Sequence, residues 1–398
     1  MENSQVAPRQ PTIPRTINLL DLLTKKSHFL FGPRSTGKST AIDQQLGKKA
    51  VIINLLRSSV QSTLLKNPGE LEGIIDASSD SKTSLVVIDE IQKVPALLDE
   101  VHRLIEERNF RFLLSGSSAR KLKASGVNLL GGRAWTSNMF PLTTEELKGK
   151  FKLDHYLRYG GLPHVYGSSF PQDELEAYVT TYLNEEIKME GLVRKIPAFL
   201  EFLRIAALTN TQLLNFSTIA SDTGVSATTI KEYYGILEDT LIGKLLQPWS
   251  KSTKRKAVAT AKFYFFDTGI CHTLAETKSI DRNSDLYGQS FEHWIYMELS
   301  AYLSYRNRKE KLRFWRSLDR HEVDFIIGDE IAIEVKSTKK VNKDDFAGIN
   351  ALREEEIFKA FFIVSNDPVD IVKDGVNCLN WKTFLQRLWA DQILERET

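Results

Sequence analysis

The chain holds two cysteines, Cys271 and Cys378, among 398 residues. That excludes a disulfide framework and a four-cysteine zinc site, and it fits a reducing, cytoplasmic setting. Seven histidines are scattered without paired metal-ligand spacing. No apolar run approaches the roughly 18 residues of a membrane span, so no membrane partner is expected. The N-terminal segment sets Pro8, Pro11 and Pro14 among polar residues and lacks the apolar centre of a secretion signal. No sign of charge dominates either: 53 Lys and Arg against 51 Asp and Glu give +2. That balance neither demands nor excludes a nucleic-acid partner, so local clusters must decide.

What remains is an ordinary globular composition, 42% hydrophobic and 26% charged, which excludes wholesale disorder and a fibrous protein. At roughly 100–200 residues per domain the length predicts about two to four domains.

The strongest local signal is Gly32-Pro33-Arg34-Ser35-Thr36-Gly37-Lys38-Ser39-Thr40. It fits the spacing G-x-x-x-x-G-K-S/T of a phosphate-binding loop. The apolar segment His28–Phe31 precedes it and a helix opening at Thr40 follows. Glycines let backbone N–H groups face phosphate oxygens, and the helix N-terminus adds its dipole. Lys38 would reach the β- and γ-phosphates of ATP, and Ser39 would hold Mg²⁺. A second signal is the buried parallel strand Leu85–Ile88, which ends in Asp89-Glu90. Asp89 would support Mg²⁺, and Glu90 would polarise the attacking water. Two further strands end at Asn54 and at Ser115-Gly116-Ser117-Ser118. Ser115 or Ser117 has two readings there, a γ-phosphate sensor or a helix N-cap. Arg133, just before an expected strand at Ala134–Phe140, is either an arginine finger offered to a neighbouring subunit of a homo-oligomer or a solvated arginine.

The strings HFLFGPRSTGKST, LVVIDEIQK, FLLSGSSARKL, LLGGRA and FPLTTEEL, continued by YLRYGGLPHVY and FYFFDTGI, resemble the predicted AAA+ ATPases of bacteria and archaea that carry a C-terminal domain of unknown function. The resemblance spans nearly the whole chain. It implies a AAA+ P-loop core, a helical lid and Mg-ATP, and it puts Asn54 where a glutamate switch often lies. No sensor-2 arginine is identifiable.

The middle of the chain reads as helical, with Leu175–Met189 at helical spacing. Around Gly224 a short helix, Ser217–Asp222, a turn and a second helix capped by Ser226 give a helix-turn-helix pattern. Expected strands at Lys244–Trp249 and Lys262–Phe266 bracket Lys251-Ser252-Thr253-Lys254-Arg255-Lys256. The pattern reads as a winged helix with a basic wing. Lys254, Arg255 and Lys256 would contact DNA phosphates, with Lys231 the one lysine of the recognition helix. The competing reading is a winged helix that packs on protein.

From about residue 285 the expected order is helix, three strands, helix, strand. Asp324 and then Glu334-x-Lys336 resemble the PD-(D/E)xK signature of the restriction-endonuclease-like fold, with Val323 where the signature has proline. Residues two apart on a strand share a face, and Gly328-Asp329 folds Asp324 back beside them. Asp324 and Glu334 would share a cation, with Glu292 supplying a further carboxylate and Lys336 orienting water.

The resulting expectation is an α/β protein: a AAA+ P-loop core with a parallel sheet (1–145), a helical lid (146–211), a winged helix (212–284) and a nuclease-like α/β domain (285–398). Two functions follow. One is an ATP-driven enzyme acting on DNA. The other is an ATP-switched scaffold whose winged helix and inactive nuclease-like domain bind partners.

Overall fold

A computed structural model describes residues 12–78, 83–118, 120, 122, 130–183 and 196–394. Pro8 and Pro11, and the end of the expected helix Leu175–Met189, lie outside them.

The N-terminal third is a five-stranded sheet in the order β2-β3-β4-β1-β5. Its strands are β1 (Ser27–Phe31), β2 (Val51–Asn54), β3 (Leu85–Asp89), β4 (Arg111–Gly116) and β5 (Ala134–Asn138). Every neighbouring pair is parallel. A parallel sheet needs crossover connections that cover its faces, so its strands run apolar without alternation. All five residues of β1 are buried, as are Val86–Asp89 of β3. Strand β4 lies between β1 and β3. It therefore sets the P-loop and the Asp89 carboxylate side by side at the C-terminal edge of the sheet, where ligands of open α/β sheets gather.

The described middle of the chain includes the helices Leu153–Tyr159, Ile196–Leu208, Phe216–Thr223 and Ala227–Asp239, followed by an antiparallel pair, β6 (Gly243–Leu246) and β7 (Lys262–Phe265). Phe216–Thr223 ends at Gly224 with φ 67°, and Ser226 caps Ala227–Asp239 by accepting from Thr229 N. The YLRYGGLP and FDTGI strings meet here. The Asp267 carboxylate accepts from Gly161 N at 2.8 Å and Ile270 N at 3.2 Å. A β-carbon on Gly160 would stand 1.9 Å from Asp267 Oδ1, so that turn tolerates no side chain.

The segment expected as a basic wing packs on its own chain. The chain leaves β6 after Leu246 and docks on the C-terminal unit. Trp249 N donates to Phe314 O at 2.6 Å and Val258 N to Arg316 O at 2.8 Å. The Trp249 indole is buried, with Nε1 2.8 Å from Asp329 Oδ1.

The C-terminal unit packs the long helix Asp285–Tyr305 against a six-stranded sheet in the order β12-β13-β11-β10-β9-β8. The strands are β8 (Leu312–Arg316), β9 (Glu322–Ile327), β10 (Ile331–Lys336), β11 (Ala360–Ser365), β12 (Ile371–Lys373) and β13 (Val376–Asn380). Strands β8, β9 and β10 form an antiparallel meander, whereas β10, β11 and β13 are parallel. The helix expected after the three strands is a 3-10 turn, Lys343–Phe346, followed by Ala347–Arg353.

Candidate functional site

The P-loop runs from the end of β1 into the helix Lys38–Leu46. Gly37 takes φ 91°, a conformation open to glycine. Gly32 backs onto Met139, whose carbonyl would lie 2.5 Å from an added β-carbon. Thr36 Oγ1 donates to Pro33 O at 2.8 Å and staples the loop. Lys38 is buried, and its ammonium sits inside the loop, 2.6 Å from Gly32 O and 3.0 Å from Pro33 O. Arg34, Ser35 and Thr40 complete the loop; Tyr178 OH reaches Arg34 O at 3.3 Å.

Ser39 Oγ donates to Asp89 Oδ2 at 2.9 Å, and Ser115 Oγ donates to Asp89 Oδ1. The ends of β1, β3 and β4 thus meet in one cluster of oxygen donors. Next to it Glu90 stands at φ 65°, a conformation that costs a non-glycine residue on the order of 1–3 kcal/mol. That turn aims its carboxylate at Gln92 Nε2, which also reaches Ser117 Oγ at 3.2 Å. Gln92 was missing from the sequence reading; its place two residues past Glu90 in a 3-10 turn brings it back over the site. Asn54 accepts from Leu56 N at 2.8 Å. Arg133 lies at the other end of the sheet, beside Ala134, which registers with Ser27 at the start of β1. There it pairs with Glu106.

Sequence reasoning also missed Arg15. Its buried guanidinium donates to Thr36 O of the P-loop, to Phe140 O at 2.6 Å, to Glu146 Oε1 at 2.9 Å and to Tyr305 OH at 2.9 Å. No local pattern announces it, because its partners are spread across nearly 300 residues of chain.

The C-terminal carboxylates do converge. Asp324 and Glu334 stand one step beyond the last paired positions of β9 and β10, Phe325 and Ile333, and on one sheet face. Asp324 Oδ2 accepts from Val335 N at 2.8 Å. Lys336 Nζ lies 2.7 Å from Glu334 Oε1. Burial, then the charges of Glu334 and Glu292, raises Asp324 far above the carboxylate range. Burial pushes Glu334 up to about 7.

A lysine ammonium lies beside these carboxylates: Lys262 Nζ is 2.6 Å from Glu322 Oε1, 3.0 Å from Glu292 Oε1 and 3.9 Å from Asp324 Oδ1. Among the described residues no three Asp, Glu, His or Cys side chains form a ready metal shell. A lysine inside the apolar string of β7 was the available signal, since a buried charge requires a partner.

The basic loop faces acid within its own chain. Arg255 pairs with Glu354 at 2.9 Å and with Asp319, and Lys251 with Asp329 at 2.6 Å. Glu355 accepts from Thr253 N at 2.8 Å and Lys254 N at 3.0 Å. The Lys254 and Lys256 side chains are exposed. Lys231 lies over the Phe216 ring at 5.4 Å.

Residues 24–148 match the family model of an AAA domain. Residues 150–281 and 287–384 match two domains of unknown function, DUF8612 and DUF4143. An uncharacterized protein of Mycobacterium tuberculosis is 28% identical over 325 residues, covering 78% of this chain and 70% of its own. One of Methanocaldococcus jannaschii is 23% identical over 377 residues, covering 85% and 82%. A solved Walker-type ATPase of Pyrococcus abyssi superposes with a TM-score of 0.44 at 14% identity, covering 65% of this chain and 93% of that one. The family match and the cluster formed by Lys38, Ser39, Asp89 and Ser115 coincide on the same sheet edge, so residues 24–148 match an AAA domain and are built on a P-loop.

Proposed function

We propose that the chain hydrolyses Mg-ATP, and that its C-terminal unit is a restriction-endonuclease-like domain that acts on or binds DNA. The observation that carries the first part is the Asp89 carboxylate held between Ser39 and Ser115. Mg²⁺ keeps several waters and takes one or two protein oxygens beside phosphate. The Ser39 hydroxyl and Asp89 fit that role, and the ion supplies charge neutralisation on the β- and γ-phosphates. The backbone N–H groups from Arg34 to Thr40 hold the phosphates, and Lys38 exchanges its loop carbonyls for phosphate oxygens. Glu90 orients the water, with Gln92 and Ser117 reporting on the γ-phosphate side. A cavity of about 870 Å³, bounded by Thr12, Ile13, Gly37, Thr40, His155 and His164, opens beside the loop. Its size suits a nucleoside. Arg133 serves a neighbouring copy of the chain, because the length of β1 separates it from its own P-loop.

The test is Mg²⁺-dependent release of phosphate from ATP by the full chain. No release with Mg²⁺ present would refute the reading.

The helix–meander–helix–strand order and the convergence of Asp324, Glu334 and Lys336 support the nuclease-like part. Among the described residues no three acidic, histidine or cysteine side chains form a metal-holding group, and the Lys262 ammonium pairs with Glu292 and Glu322 beside Asp324. That observation favours a second reading for this unit, a binding module that does not cut. Plasmid cleavage with Mg²⁺ or Mn²⁺, with and without ATP, separates the two.

A further inference from the structure

Thr36 and Gly37 share one peptide unit, and in a trans peptide the C=O and the N–H point opposite ways. A group that grips the Thr36 carbonyl therefore fixes the direction of the Gly37 N–H. Arg15 is that group. Its Nη1 donates to Thr36 O, and a β-carbon added to Gly37 would stand 3.4 Å from the same nitrogen. Gly37 caps the helix Lys38–Leu46, where unpaired N–H groups and the helix dipole favour an anion. A positive charge on the carbonyl also polarises the peptide and strengthens its N–H as a donor.

The grip is set from elsewhere in the fold. Arg15 Nε lies 2.9 Å from Glu146 Oε1, and both side chains are buried. Glu146 is itself fixed, because its Oε2 accepts from Thr143 N at 2.9 Å. Arg15 Nη2 donates to Phe140 O at 2.6 Å and to Tyr305 OH at 2.9 Å. Tyr305 is the last residue of the helix Asp285–Tyr305, which belongs to the C-terminal unit. The donors of a guanidinium form a rigid planar fork. A shift of Tyr305 against the phosphate loop thus turns the whole fork and moves Nη1 on Thr36 O.

We propose that Arg15 and Tyr305 are positioning residues of the nucleotide site. They aim and polarise the Gly37 N–H toward the phosphates, so that docking of the C-terminal helix sets the affinity for ATP. This rests on the ATP reading of the P-loop and adds a regulation to it. Linkage makes the effect reciprocal: bound ATP favours the docked helix by the same factor.

The test measures Mg-ATP affinity by titration, and KM and kcat by phosphate release, on the full chain. The variants are Tyr305→Phe and Arg15→Lys, with Tyr302→Phe as the control. Tyr302 lies one turn back on the same helix, and its hydroxyl donates to Asp391 at 2.7 Å, within the C-terminal unit. Tyr305→Phe and Arg15→Lys should weaken ATP binding roughly 5–150-fold, the usual range of coupling between linked sites. The change should appear in KM rather than in kcat, because a phosphate contact shared by the bound and transition states is lost. Tyr302→Phe should bind ATP as the parent does. A purely structural role would lower the active fraction, and with it the apparent kcat, and leave KM in place. Parental affinity in folded Tyr305→Phe overturns the proposal, as does equal weakening in Tyr302→Phe. Should Arg15→Lys fail to fold, Tyr305→Phe decides alone. A parent that binds no nucleotide refutes the ATP reading and this inference with it. A parent that binds ATP without hydrolysing it refutes the hydrolysis alone, and the titrations still decide.

Discussion

Arg15 and Tyr305 stand 290 residues apart in sequence and 2.9 Å apart in space, guanidinium to phenol oxygen. The same guanidinium touches Thr36 O of the P-loop, and the same phenol oxygen accepts from Phe140 N at 3.1 Å. One buried arginine therefore joins the phosphate loop, the end of β5 and the helix Asp285–Tyr305. Tyr305→Phe strips an acceptor from two buried donors and should cost about 1–3 kcal/mol in denaturant unfolding. Arg15→Met leaves Glu146 buried without its cation and should cost about 3–5 kcal/mol. An Arg15→Met protein as stable as the parent would show that the junction contributes nothing.

Lys38→Ala should abolish ATP turnover, since no other ammonium lies inside the loop among the described residues. Phosphate release at the parental rate in that variant would sink the assignment.

Glu90→Gln should retain nucleotide binding and slow hydrolysis by roughly 10²–10⁴-fold, the usual contribution of a positioned acid–base group. Gln92→Ala should slow it less, because it acts through Glu90 and Ser117. Loss of binding in Glu90→Gln, read by nucleotide titration, would point to a structural role for the turn.

Glu298 offers a pH readout. It is buried, accepts from Thr144 N at 2.7 Å and Trp389 Nε1 at 2.9 Å, and burial pushes its carboxyl up to about 7. The native chain thus holds a proton that the unfolded chain releases near 4.5. Stability on this account falls as pH rises from about 4.5 to 7, by up to about 3 kcal/mol, and is flat above. Glu298→Gln should make the decline of stability over that window shallower by one proton. An unchanged slope would mean that this carboxyl is ionised throughout.

Lys254→Glu with Lys256→Glu should leave the salt dependence of DNA binding unchanged, whereas Arg255→Glu should destabilise the chain. If the log–log slope instead drops by about 0.9 for each reversed lysine, the loop contacts phosphate.

The strands nearest the P-loop were legible because burial on both faces writes them as apolar runs, and the P-loop because its spacing is fixed by backbone geometry. The edge of the second sheet was not. Strand β12 is three residues long and mostly exposed, and β13 mixes Asn377 and Asn380 with Cys378. Asp324, Glu334 and Lys336 could be placed together from strand alternation alone, but nothing local says that Lys262 joins them. The two readings of the basic loop stayed open in the sequence for the same reason. Its neutralising partners, Asp319, Asp329, Glu354 and Glu355, lie about 60–100 residues downstream, and charge read along the chain cannot see charge returned across a fold.

The docked stretch from Gln247 to Val258 also bears on how the chain can be dissected. It lies along β8, the outermost strand of the C-terminal sheet, with Pro248 and Ala257 bridging to Phe314 and Ser317. A fragment that begins at residue 285 would uncover that strand, strand Glu355 without its N–H partners and remove the Trp249 indole from its place against Phe358. Bare sheet edges invite pairing between copies, so such a fragment should aggregate, and a soluble C-terminal piece has to begin before the hairpin.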